Sequence, residues 1–133
     1  MALLNRDASL AGMEAGATAA TDVTGFGLLG HLRNLAVGAT IDSRAVPYLP
    51  GVRELASADL FPDGSRRNHA ALAGLVDWGG LPDDEQLLLS DAQTSGGLLV
   101  AIPPGNAAAF EASLPAAVRI GEVTSDGSIR VRP

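Results

Sequence analysis

The run Gly96-Gly-Leu-Leu-Val-Ala-Ile102 constrains the fold more than any other part of the chain. Continuous apolar sequence of this length, with Thr94-Ser95 before it and Pro103-Pro104 after it, reads as a strand buried on both faces at the centre of a sheet. The remaining segments must then supply its neighbours and its covering helices. From Gly27, the residues Leu28, Leu29, Leu32, Leu35 and Ala36 keep the i, i+3, i+4 spacing of one helix face, with Gly38 as the stop. Leu3, Leu4, Leu10 and Met13 fit an earlier helix ending near Gly16, with Asp7 in its early turns.

Residues 17–25 read as an extended loop. Ala39–Ser43 reads as a short strand, and Val52–Ala58 as a short helix after a loop bracketed by Pro47 and Pro50. Residues 61–68 form a polar, turn-rich loop, and residues 70–78 suit a helix or a strand equally. Pro82-Asp-Asp-Glu starts a helix that carries Leu87, Leu88 and Leu89. Pro104–Leu114 is a helix with Ala107, Ala108 and Phe110 inward. Val118–Val123 is a strand, Asp126-Gly127 a hairpin turn, and Ile129 and Val131 belong to an edge strand pairing back on it. Helices mixed with strands and a terminal hairpin make this an α/β or α+β fold with a mixed sheet, in a single domain over residues 1–133.

Composition excludes several chemistries. There is no cysteine, which removes disulfides, thiolate nucleophiles and Cys-ligated zinc. All nine basic residues are arginine, which removes a Walker A loop and a Schiff base. A net charge of −6 argues against a nucleic-acid partner, since no basic face is available to displace counterions. No apolar stretch approaches a membrane span, and the N-terminus has no basic segment leading into a long apolar one, so a cytoplasmic location is expected. Aromatics are only 4%, so the core must be built from Ala, Leu and Val.

Three stretches could carry chemistry. Thr21-Asp-Val-Thr-Gly25 places an Asp on a Gly-rich loop before a helix. Asp22 could cap that helix or hold Mg²⁺, and among residues of this kind the cap is the commoner role. Ser90-Asp-Ala-Gln-Thr-Ser-Gly-Gly97 is either a plain connection or a binding loop at a strand end. Gly64-Ser-Arg-Arg-Asn68 could bind phosphate through its arginines, though a solvated loop is the commoner outcome. His31 and His69 have nothing arranged around them in sequence and read as structural or surface residues. Gly25-Phe-Gly27-Leu-Leu-Gly30 matches the dinucleotide G-x-G-x-x-G pattern, with Asp42 near the acidic position. It lacks an apolar strand before it, so it reads as a tight turn with close helix packing.

Taken together, the stretches resemble a known family. Ala20-Thr-Asp-Val-Thr-Gly-Phe-Gly-Leu-Leu-Gly-His-Leu32 resembles the signature of the selenide, water dikinases, which are PurM-like (AIR-synthetase-like) enzymes. Gly64–Asn68 is similar to that family's segment ending in Arg-Asn. Leu88-Leu-Ser-Asp-Ala-Gln-Thr-Ser-Gly-Gly-Leu-Leu99 is similar to its Asp-Pro-Gln-Thr-Ser-Gly-Gly-Leu-Leu motif, with Ala92 in place of Pro, and Ile120-Gly-Glu-Val123 also fits. The resemblance implies the C-terminal domain of a two-domain enzyme: an α+β, three-layer α/β/α unit with a mixed sheet and partial ferredoxin-like topology. It implies an activity making selenophosphate, AMP and phosphate from ATP, selenide and water, with Mg²⁺ and ATP as cofactors and a homodimeric assembly. It also implies an N-terminal domain, bearing the catalytic Cys/Lys pair and most metal-binding aspartates, that these 133 residues do not contain, so the chain would be inactive alone. Carried over by position, Asp22 becomes a Mg²⁺ ligand. Thr21, Thr24, Gly25, Asn68, Asp91, Thr94 and Ser95 become nucleotide-cleft residues. A stand-alone, non-catalytic binding or regulatory module of the same fold is the alternative.

Overall fold

The computed structural model describes residues 4–133, so Leu3 lies outside the described residues. Helix α1 (Arg6–Glu14) leads into strand β1 (Ala19–Asp22) and helix α2 (Gly27–Asn34). Strand β2 (Gly38–Asp42), helices α3 (Val52–Ser57) and α4 (Asp63–Ala71), the short strand β3 (Val76–Asp77) and helix α5 (Asp83–Leu89) follow. Strand β4 (Leu98–Ala101), a 3₁₀ turn at Pro104–Asn106, helix α6 (Ala107–Ser113) and strands β5 (Gly121–Thr124) and β6 (Ile129–Arg132) complete the chain.

The strands form two sheets. A four-stranded sheet has the order β3-β6-β2-β5, with β6 parallel to both β2 and β3 and β5 antiparallel to β2. A two-stranded antiparallel sheet pairs β1 with β4. Helices and mixed sheets together make the α+β class expected from the sequence.

The core follows from alternation in the strands and helical spacing in α2 and α5. Ala39 and Ile41 of β2, Val76 of β3 and Ile129 and Val131 of β6 are buried, while their neighbours Asp42, Asp77 and Arg132 reach solvent. Onto that apolar face pack Leu29 and Leu32 of α2, Leu72 after α4, and Leu81 and Leu89 around α5. Each of the larger side chains contributes roughly 1.5–3 kcal/mol on burial. No aromatic residue belongs to the buried set of this cluster, and Phe110 is buried apart from it on α6.

Several local expectations need correcting. Leu98–Ala101 is a strand, but its residues are only half-buried and it pairs with β1 alone, so it is not a central strand. Residues 19–22, read as loop, are its partner: small residues that β4 holds extended. Residues 63–71, read largely as loop, are helix α4, which tertiary hydrogen bonds fix despite turn-forming composition. Ala36, not Gly38, takes the left-handed conformation after α2 (φ 54°). Gly38 instead sits where the 125–128 loop crosses the end of β2, and a Cβ there would meet Thr124 Oγ1 at 2.6 Å and the Gly127 nitrogen at 2.7 Å.

That crossing replaces the expected hairpin, since β5 and β6 flank β2 instead of pairing with each other. Ala108 is exposed while Phe110 is buried. The apolar face expected for the first helix is outward: Leu4 lies ahead of α1 and is exposed, Leu10 and Met13 on α1 are exposed, and Gly12 packs inward against Val100. The G-x-G-x-x-G pattern does follow a strand, β1, where its polar, small-residue sequence suggested none. However, β1 and β2 belong to different sheets, so no βαβ unit forms around it.

Candidate functional site

The three stretches converge. The loop after β1 (residues 23–26), the loop after α5 (residues 90–97) and the inner side of α4 meet through a dense set of hydrogen bonds. The Val23 N–H donates to Gly97 O and the Gly96 N–H to Val23 O, both at 2.9 Å. The Gln93 N–H donates to Thr24 O at 3.0 Å, as does the Gly27 N–H. Gly27 has a φ of +70°, and a Cβ on it would lie 2.5 Å from Ser90 O. Its absent side chain therefore lets one loop rest on the backbone of the other.

Helix α4 joins both loops from below. Asn68 Nδ2 donates to Gly25 O at 2.8 Å and to Ser90 O at 3.1 Å. Ser65, fully buried, donates through Oγ to Asp91 Oδ1 and accepts the Ala92 N–H at 3.1 Å. Gln93 Nε2 donates to the other Asp91 oxygen at 2.9 Å. Arg66 pairs with Asp59 at 2.9 Å, and Arg67 is exposed.

The side chains left facing outward are few. Asp22, at the end of β1, is exposed, with one carboxylate oxygen accepting from Asn5 Nδ2 at 2.6 Å. Thr94 and Ser95 are exposed on the opposite loop. Thr21 Oγ1 turns back to its neighbour's carbonyl at 3.3 Å. Thr24 Oγ1 lies 3.0 Å from His31 Nε2, and the His31 ring packs at a tilt on Phe26. His69 bonds Gln86 Oε1 at 2.9 Å and packs on Trp78, so both histidines are internally engaged. A shallow cleft of about 210 Å³ opens beside the loops between α2 and α4, lined in part by Phe26, Arg33 and Asn68.

Among the described residues no three carboxylate or imidazole side chains gather to hold a metal ion. Mg²⁺ wants an octahedral shell of oxygens, so Asp22 fits as one ligand of a shared site and not as a site of its own. Sequence reasoning missed Ser65, Gln93, Asn5 and Tyr48. The first two lay inside the quoted motifs, where spacing from Asp91 alone could not tell a ligand from a brace. The Tyr48 hydroxyl is buried with no hydrogen-bond partner among the described residues. Burial pushes its phenol up to about 12, Arg53 stacked on the ring opposes this, and the Asp91 charge adds to it.

This geometry can be set beside known proteins. The model of the family "AIR synthase related protein, C-terminal domain" matches residues 2–132. The chain belongs to this family. Among curated relatives, selenide, water dikinase from Bordetella bronchiseptica is 44% identical over 117 residues, 85% of this chain and 33% of that protein. The enzymes of the same name from Trichlorobacter lovleyi and Escherichia coli K12 are 40% and 48% identical, over 84% and 73% of this chain. The chain spans about a third of the length of these relatives. The two loops and α4 that meet in this AIR synthase C-terminal domain carry the three stretches that resemble selenide, water dikinases. No helix among the described residues is long and apolar enough to cross a membrane.

Proposed function

We propose that this chain serves as the C-terminal domain of a selenide, water dikinase, converting ATP, selenide and water to selenophosphate, AMP and phosphate together with an N-terminal domain. The reading is carried by one observation: three separate stretches that resemble this family meet at one place, with the carboxylate of Asp22 exposed at its rim and one of its oxygens held by Asn5. The names of the relatives support it.

In this reading Asp22 is one oxygen ligand of Mg²⁺ bound to the ATP phosphates, and Asn5 orients its carboxylate. The ion would screen the triphosphate charge as phosphoryl groups depart. Aspartates from the N-terminal domain complete the shell. Thr21, Thr24 and Gly25 shape the loop behind Asp22, and the exposed hydroxyls of Thr94 and Ser95 line the facing wall. A homodimer and a cytoplasmic location go with this reading. The second reading is a binding or regulatory module of the same fold without turnover.

Mixing separates the two. The chain is assayed for AMP and selenophosphate with ATP and selenide, alone and with the N-terminal region of a selenide, water dikinase. The proposal expects turnover only in the mixture. Selenophosphate from the chain alone would contradict it, and an inert mixture would favour the regulatory module.

A further inference from the structure

We propose that Asn68 is a positioning residue: its amide NH₂ clamps the loop behind Asp22 to the loop at Asp91, which leaves no side-chain N–H for a ligand. This rests on the Mg²⁺–nucleotide reading of the first loop, and it replaces the cleft-ligand role that the family resemblance gave Asn68.

Both partners of Asn68 are backbone carbonyls, Gly25 O at 2.8 Å and Ser90 O at 3.1 Å. Carbonyls only accept, so the chemistry orients the amide: its NH₂ group faces both, with one hydrogen for each. Both hydrogens of that group are spent on the two loops. Ser65 lies three residues earlier, on the same side of α4. It holds Asp91 and the Ala92 N–H of the same second loop. One helix face thus fastens the second loop through Ser65 and ties it to the first through Asn68. The contact needs a fastener, because Gly27 brings the loops together backbone to backbone with no interlocking side chain of its own. Asp22 lies three residues before Gly25, so slack in this contact passes directly to the carboxylate.

The test uses Asn68→Asp and Asn68→Ala in the full chain. Asp is nearly the same shape and would serve a metal as well as Asn or better. In the clamp it would turn a carboxylate onto two carbonyl oxygens. The first readout is hydrogen–deuterium exchange with no nucleotide present. Amides of residues 23–27 and 91–96 should exchange at least about tenfold faster in both variants, and faster in Asn68→Asp than in Asn68→Ala, with β2 and β6 unchanged. The second readout is the Mg²⁺–ATP affinity of the chain mixed with the N-terminal region of a selenide, water dikinase, expected to be weaker with Asn68→Asp than with Asn68→Ala.

Unchanged loop exchange in Asn68→Asp, or Mg²⁺–ATP bound as tightly as by the wild type, would overturn the clamp. If Asn68→Asp unfolds the whole chain, Asn68→Ala removes the clamp without adding charge and gives the same exchange comparison. If the wild-type chain mixed with the N-terminal region binds no Mg²⁺–ATP, that counts against the nucleotide reading, and the exchange result still decides the clamp.

Discussion

Replacing Ser65 by Ala tests the brace at its buried end. The side chain is fully enclosed, and its Oγ serves as donor to the Asp91 carboxylate and as acceptor for the Ala92 N–H at 3.1 Å. Alanine keeps the Cβ, so the change is chiefly a loss of two hydrogen bonds. A bond to a carboxylate contributes about 1.5–3 kcal/mol and one between neutral groups about 0.5–1.5 kcal/mol. Asp91 is only half-buried and keeps Gln93 on its other oxygen, so water recovers part of the first term. The net loss is then about 2–3 kcal/mol.

At about 2.1 cal/mol/K of unfolding entropy per residue, a chain of 133 residues melts about 7–11 °C lower. Calorimetry and urea unfolding read the loss. A double-mutant cycle with Asp91→Ala should show a coupling of about 1 kcal/mol or more. A Ser65→Ala variant that melts within about 2 °C of the wild type, with no coupling to Asp91, would refute the reasoning.

Leu89, 1% exposed in the core, should lose about 2–5 kcal/mol of unfolding free energy as Leu89→Ala, measured by urea titration. Gly38→Ala should cost about 1–3 kcal/mol because its Cβ meets the crossing loop. Gly25→Ala meets nothing within 4 Å and should stay within about 0.5 kcal/mol of wild type in the same experiment. Asp126 is held well below the usual carboxylate range by Arg130 first, then by Ser128 and Thr124. Its stabilising share is therefore present above the unfolded-state pKa of about 4 and is lost as pH falls below it. The wild type should lose more stability than Asp126→Asn between pH 6 and pH 2, and parallel losses would contradict this.

What the sequence made legible was whatever had a local cause. Leu29 and Leu32 announce α2 by spacing, and Pro82 followed by acids announces α5. Where the cause is distant, local reasoning misled. Asp63–Ala71 is rich in turn formers and is helical because Ser65 and Asn68 bond to loops 22–27 residues away in sequence or more. The Asp126-Gly127 turn is present, but nothing local tells whether the next strand lies beside β5 or beyond β2.

The apolar run at 98–101 suggested burial on both faces, yet the described residues cover it only by half. The site was legible as three motifs. Which members bind outward and which are spent inward required the hydrogen bonds: Asp91 and Asn68 turn inward, while Asp22, Thr94 and Ser95 face out.

The Mg²⁺ dependence of AMP formation in the mixture of this chain with the N-terminal region, compared between wild type and Asp22→Ala, tests the central claim most directly. The account predicts that Asp22→Ala lowers turnover at least about a hundredfold at saturating ATP, with partial recovery as Mg²⁺ is raised. Wild-type turnover and an unchanged Mg²⁺ dependence in Asp22→Ala would contradict it.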